Sequence, residues 1–127
     1  ESSTNSESPL QQRQKLVTTG PRSIEWAAGI FEGEGCLTYT KTSDRWEMKI
    51  QMTDEDVIQD FYQAVSWIGN YYGPHKNPRH QEHHKPITEW RLNRRDHIFE
   101  LVMLFYPEMN ARRQQKMSEF LSWYFKK

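Results

Sequence analysis

Two carboxylates, Glu32 and Glu34, stand among glycines in IEWAAGIFEGEG, residues 24–35. A helix that meets a partner closely and delivers Glu34 at its end is a sensible way to place a metal-binding carboxylate. A second cluster lies near the C-terminus, where Arg112, Arg113 and Lys116 fall within ARRQQK, residues 111–116. Cations at a helix start oppose the helix dipole by a few tenths of a kcal/mol. Their placement therefore points to an anionic partner, although a solvated basic helix start accounts for the same residues. A third cluster, His80, His83 and His84, invites a zinc reading. No cysteine lies nearby and no helix would orient these ligands. The segment 77–85 reads better as a polar, partly cationic connection.

The elements that must position these groups follow from periodicity. In a helix over residues 24–34, Gly29 and Gly33 fall at i and i+4 and share one face. Small residues at that spacing let another backbone approach closely. Glycine costs about 1 kcal/mol relative to Ala in a helix interior, a loss that packing or function must offset. Ser23 predicts the N-cap and Gly35 the exit into a strand. An ordinary amphipathic helix ending in a glycine-rich turn fits the same residue types.

Residues 36–42 alternate, with Thr38, Thr40 and Thr42 opposite Leu37 and Tyr39. After a turn at 42–44, residues 45–52 place Trp46, Met48, Ile50 and Met52 inward and Arg45, Glu47, Lys49 and Gln51 outward. Thr53 predicts the cap of a helix carrying Val57, Phe61, Ala64, Val65 and Ile68 on its core face and stopped by Gly69. A second pair of strands is predicted over 70–76 and 86–93. A helix from Arg94 or Arg95 to Tyr106 follows, interrupted by Pro107. A last helix is capped by Asn110, with Met117, Phe120, Leu121 and Tyr124 as its apolar stripe.

The length of 127 residues fits one domain. Five Trp, six Tyr and six Phe supply bulk for one modest core. Residues 1–22 carry only Leu10, Leu16 and Val17 as apolar side chains. They predict a disordered or loosely ordered tail, with 23–127 as the folded domain. Glu1 in place of Met predicts a start that is trimmed, processed or fused. Cys36 is the one cysteine, which excludes an intramolecular disulfide. No apolar run approaches the roughly 20 residues of a membrane span, and the acidic, Ser-rich start is unlike a secretory signal. An intracellular protein with no membrane partner is expected.

Formal net charge is zero, but it is segregated. Residues 75–95 hold six Lys/Arg against two acids, whereas residues 44–60 hold six acids against two Lys/Arg. A surface divided in this way can meet a polyanion with one face.

Ala27 to Gly35, AAGIFEGEG, resembles the nine-residue LAGLIDADG motif of homing endonucleases. Gly29, Gly35 and the acidic positions Glu32 and Glu34 match in kind; Ala27 replaces the leading Leu, and Glu replaces Asp at both acidic positions. IQMTDEDVIQDF, IGNYYG and LFYPEMNARRQQK resemble other segments of the same family. The order of elements also fits. The resemblance covers about residues 23–125.

The resemblance implies an α+β protein of αββαββα plan, whose antiparallel sheet forms a DNA-binding saddle, with an extra C-terminal helix. It implies a homodimeric, site-specific endonuclease making a metal-dependent double-strand break in a long pseudo-palindromic DNA target. The helices meet through Ala28, Gly29, Glu32 and Gly33. Each chain then contributes Glu34 as a metal ligand for Mg²⁺, Arg112 as the basic residue near the scissile phosphate, and Asp54 at the position that orders water. Thr38, Thr40, Arg45, Lys49, Gln51, Lys76, Arg79, Arg91, Asn93, Arg113 and Lys116 are the expected DNA contacts. Arg112 replaces the more usual Lys. With the Glu-for-Asp changes, this keeps open a non-catalytic nucleic-acid-binding protein on the same fold, an intron RNA maturase or a DNA-binding regulator.

Overall fold

The Ser23 hydroxyl accepts from the Trp26 amide at 3.0 Å and starts the first helix, α1, Ile24–Glu34. The computed structural model describes residues 22–75 and 85–127. The predicted tail up to residue 21, and Lys76, Arg79, His80, His83 and His84 of the predicted connection, lie outside the described residues. Arg22 packs with the domain: its guanidinium lies 4.9 Å over the Trp26 ring and pairs with Asp60 at 3.5 Å.

From α1 the chain passes directly into β1, Gly35–Thr40, and after a turn at residues 41–44 into β2, Arg45–Met52. Next come α2, Glu55–Ala64, then β3, Asn70–His75, and β4, Ile87–Leu92. Helix α3, Arg95–Phe105, a short 3-10 turn, Tyr106–Glu108, and α4, Ala111–Lys126, complete the chain. The two predicted hairpins join into one antiparallel sheet of order β1-β2-β4-β3.

The alternation read from sequence decides which face the helices cover. Leu37, Trp46, Met48, Ile50, Trp90 and Leu92 are buried beneath them. The register pairs Met48 with Leu92 and Ile50 with Trp90. Phe31 of α1, Phe61 of α2, Phe105 of α3 and Phe120 of α4 close the core with no exposed surface. Each such side chain contributes about 1.5–3 kcal/mol by leaving water. The other face carries mostly polar side chains, of which Thr38, Thr40, Arg45, Gln51 and Tyr72 are exposed, while Ile87 and Glu89 of β4 are buried. No helix among the described residues is long and apolar enough to cross a membrane.

Both ends of α2 differ from the sequence reading, and β1 stops at Thr40 instead of reaching Thr42. Thr53 is not the cap of α2, because the first helical amides, Val57 and Ile58, bond to the Asp54 carbonyl. The same helix ends at Ala64 rather than running to Gly69. Ser66 and Trp67 take left-handed φ values of 58° and 65°, and the Trp67 amide turns back to the Tyr62 carbonyl at 2.9 Å. This loop places the Ile68 carbonyl 2.8 Å from Trp90 Nε1, satisfying the indole of a fully buried residue.

Candidate nucleic-acid interface

The apolar side of α1 buries Ile24, Ala27, Ala28 and Phe31. Turning those four inward leaves Gly29 and Gly33 outward, where a Cβ added to either would meet nothing within 4 Å among the described residues. Ala28 corrects the expected dimer contact: it is fully buried in the chain's own core and unavailable to a partner. Glu32 is half-buried and already engaged. Its carboxylate accepts from the Asn110 amide at 3.2 Å, and its carbonyl accepts from Arg113 Nε at 3.2 Å.

Glu34 ends α1 exposed. The register that pairs Gly35 with Ile50 brings it to the same end of the sheet as Asp54, which follows β2. Asp54 is exposed too, and its carboxylate makes no capping bond. At this end α4 begins beside β1, a free edge of the sheet. Asn110 caps α4 by accepting from the Arg113 amide at 3.3 Å. An open cleft of about 420 Å³ lies between the two elements, with Arg112, Arg113 and Lys116 facing Cys36 and Thr38.

These three cations differ in freedom. Arg112 is exposed. Arg113 is held against α1, its guanidinium 5.3 Å over the Phe31 ring. Lys116 shares its charge with Glu119 at 3.6 Å and lies 5.7 Å from the Trp46 ring. Of the three, Arg112 therefore keeps its donors most available, and Arg113 serves the fold.

The polar sheet face carries most of the expected contacts in rows set by the register. Cys36, Lys49, Arg91 and Asn70 form one row; Gln51, Glu89 and Tyr72 form the next. Thr38 pairs with Glu47 and Thr40 with Arg45 toward the far end. Arg45 and Asn93 line a polar cleft of about 300 Å³ there, together with Arg95 and Lys127. Lys76 and Arg79 lie outside the described residues.

Four residues of this surface were missed in the sequence. Cys36 had a signal: the alternation that turned Leu37 inward also turned Cys36 outward. Glu89 had one too, since its alternation with Thr88 and Trp90 turned it outward with Arg91; Tyr72 had none, because its neighbours in the row come from other strands. Arg95 was assigned only to a helix start.

Among the described residues, no group of three or more His, Cys, Asp or Glu gathers as a metal site. One chain instead offers the exposed Glu34 at the end of a helix with a glycine flank, and the exposed Asp54 at the same end of the sheet. Such a carboxylate suits a hard divalent cation, but completing its coordination requires oxygens from elsewhere.

No family model matches the chain, and no curated protein matches it in sequence. Solved structures do. The homing endonuclease I-TnaI is 18% identical with a TM-score of 0.57, covering 81% of this chain and 71% of its own. The LAGLIDADG meganuclease I-AabMI, bound to uncleaved DNA, is 14% identical with a TM-score of 0.61, covering 79% and 35%. The homing endonuclease I-CvuI, in complex with its target in the presence of 2 mM Ca, is 14% identical with a TM-score of 0.52, covering 72% and 59%. The chain thus spans about a third of I-AabMI and three-fifths of I-CvuI. Its fold is the α+β LAGLIDADG homing-endonuclease fold.

Proposed function

We propose that this chain is one subunit of a homodimeric, site-specific DNA endonuclease that depends on a divalent cation. The observation that carries this reading is the combination on α1 of an open Gly29–Gly33 flank with an exposed Glu34 at its end. A flank with room for a second backbone favours pairing about a two-fold axis, and pairing brings two Glu34 side chains to one place. Arg112 stands in the neighbouring cleft and the polar sheet face extends away from it. The fold shared with DNA-bound endonucleases supports the same reading.

Glu34 from each chain would hold the cations, Mg²⁺ being the expected one, with DNA phosphates supplying further oxygens. Bound there, a divalent cation supplies Lewis-acid stabilisation of phosphate charge and activation of water. The chain's own contributions are distinct. Arg112 would pair with phosphate oxygens and stabilise charge that develops on them. Asp54, at the same end of the sheet, would orient water. Thr38, Thr40, Arg45, Lys49, Gln51, Arg91 and Asn93, on the broad face or its rim, would fix register and read bases.

A two-fold dimer implies a long, pseudo-palindromic target. Incubating the full chain with a randomised duplex library and Mg²⁺, compared with Ca²⁺, and sequencing the ends tests this. Double-strand ends at one extended sequence are expected with Mg²⁺. No cutting, with tight retention of intron RNA or of one duplex, would favour a non-catalytic maturase or DNA-binding regulator. The replacements of Asp by Glu at positions 32 and 34 and of Lys by Arg at position 112 are the observations that favour that alternative.

A further inference from the structure

Glu89 is an anomaly on the open face. The register places it in the row with Gln51 and Tyr72, where side chains point away from the core, yet the residue is only 6% exposed. A carboxylate taken from water needs a compensating partner. Its partner is Arg91, two residues along β4, whose Nη2 donates to Glu89 Oε1 at 3.0 Å. The guanidinium also lies 5.5 Å over the Tyr72 ring of the neighbouring strand. Arg91 Nε is enclosed with no partner, while 41% of the side chain stays exposed. With Nε enclosed and one Nη2 donor taken, the outer terminal hydrogens are the donors left for an incoming group.

A free surface arginine sweeps a wide volume and finds phosphates by charge. Arg91 is restrained on one side by a carboxylate and by the Tyr72 ring that its guanidinium lies over, and its charge is offset by Glu89. Its attraction for phosphate is thereby reduced. What remains is a planar donor set of fixed direction, which matches the O6 and N7 acceptors of guanine. We infer that Glu89 is a positioning residue which fixes the Arg91 guanidinium on the open sheet face, so that Arg91 reads a guanine instead of a backbone phosphate. The inference rests on the DNA-binding reading above.

The test is selection of bound sequences from a randomised duplex library by full-length wild type, Arg91→Ala, Glu89→Ala and Glu89→Gln. It is paired with salt titrations on the selected duplex and on an unrelated one. Wild type is expected to enrich a guanine that Arg91→Ala loses. Glu89→Ala should still bind, with that enrichment reduced about tenfold or more, the scale of one bidentate base contact. It should also bind the unrelated duplex more tightly, with a steeper salt dependence, because the released cation finds phosphates. Glu89→Gln, which keeps an acceptor oxygen, should keep part of the preference. Unchanged guanine enrichment in Glu89→Ala overturns the inference. So does a uniform loss of affinity with lowered thermal stability, which a merely structural Glu89 would give. A wild type that enriches no sequence overturns the DNA reading itself; enrichment that Arg91→Ala leaves intact overturns this inference alone.

Discussion

Arg113 Nε donates to the backbone carbonyl of Glu32 at 3.2 Å, joining two residues 81 positions apart. The Glu32 carboxylate returns the link by accepting from the Asn110 amide. The exit of α1 and the entrance of α4 are thereby clamped together. Glu34 and Arg112 each lie within two residues of that clamp, so one junction places the exposed carboxylate and the exposed guanidinium at the same end of the sheet.

Arg113→Ala is therefore expected to act on stability more than on DNA affinity. Losing a charge-assisted bond to a partly buried carbonyl should lower the unfolding free energy by about 1–3 kcal/mol. Arg113→Lys should recover only part of it, since an ammonium lacks the planar group that covers Phe31. Urea unfolding of the three proteins checks this, and wild-type stability in Arg113→Ala would show the clamp to be incidental.

The α1 flank separates folding from assembly. Among the described residues, no atom outside α1 lies within 4 Å of a Cβ at Gly29 or Gly33, so Ala at either position should leave the subunit fold intact. Its helix propensity should stabilise the subunit by up to about 1 kcal/mol. The larger Gly33→Leu should abolish the dimer while the subunit stays folded. Sedimentation alongside thermal unfolding decides it; an undiminished dimer in Gly33→Leu would place the interface elsewhere.

Gly69 behaves in the opposite way. Its φ is +99°, and an added Cβ would lie 2.6 Å from Trp90 Nε1 and 2.9 Å from the Arg91 carbonyl. Gly69→Ala is thus strained in backbone and packing together, and a loss of about 1–3 kcal/mol is expected. Thermal unfolding showing no loss would mean that the Trp90 indole can leave the Ile68 carbonyl without cost.

Local chemistry in the sequence was enough for much of this fold. Ser23 and Asn110 cap their helices, Gly35 turns helix into strand, and the alternation of Trp46, Met48 and Ile50 sets the buried face. What the sequence concealed is long-range. Trp67, in a left-handed conformation, looked like a helical residue because the Trp90 contact that shapes its loop comes from β4. Ala28 read as an interface residue because its burial depends on the packing of the other helices. The burial of Glu89 was hidden because only folding brings Tyr72 beside it, and the Arg113–Glu32 clamp spans most of the domain.

The β1–β2 turn carries a pH-sensitive anchor. Asp44 sits at a left-handed φ of 53°, and its carboxylate accepts from Lys127 Nζ, the Tyr39 hydroxyl and Trp123 Nε1. These bonds, that of Lys127 foremost, hold the Asp44 carboxyl well below the usual carboxylate range. A folded value below the unfolded one contributes stability that is present above about pH 4 and lost as pH falls from there toward the folded value. Asn also tolerates the left-handed conformation, so Asp44→Asn isolates the charge. The unfolding temperature of wild type should drop more steeply below about pH 4 than that of the variant; parallel curves would count against the anchor.

Pairing of two α1 helices, so that two Glu34 carboxylates serve one DNA site, is tested most directly by Glu34→Gln on the duplex selected by wild type. With Mg²⁺, wild type should cut both strands as a dimer, while Glu34→Gln binds the same duplex as a dimer and cuts neither strand. Cutting by Glu34→Gln at the wild-type rate, or by a species that sediments as a single chain, would contradict it.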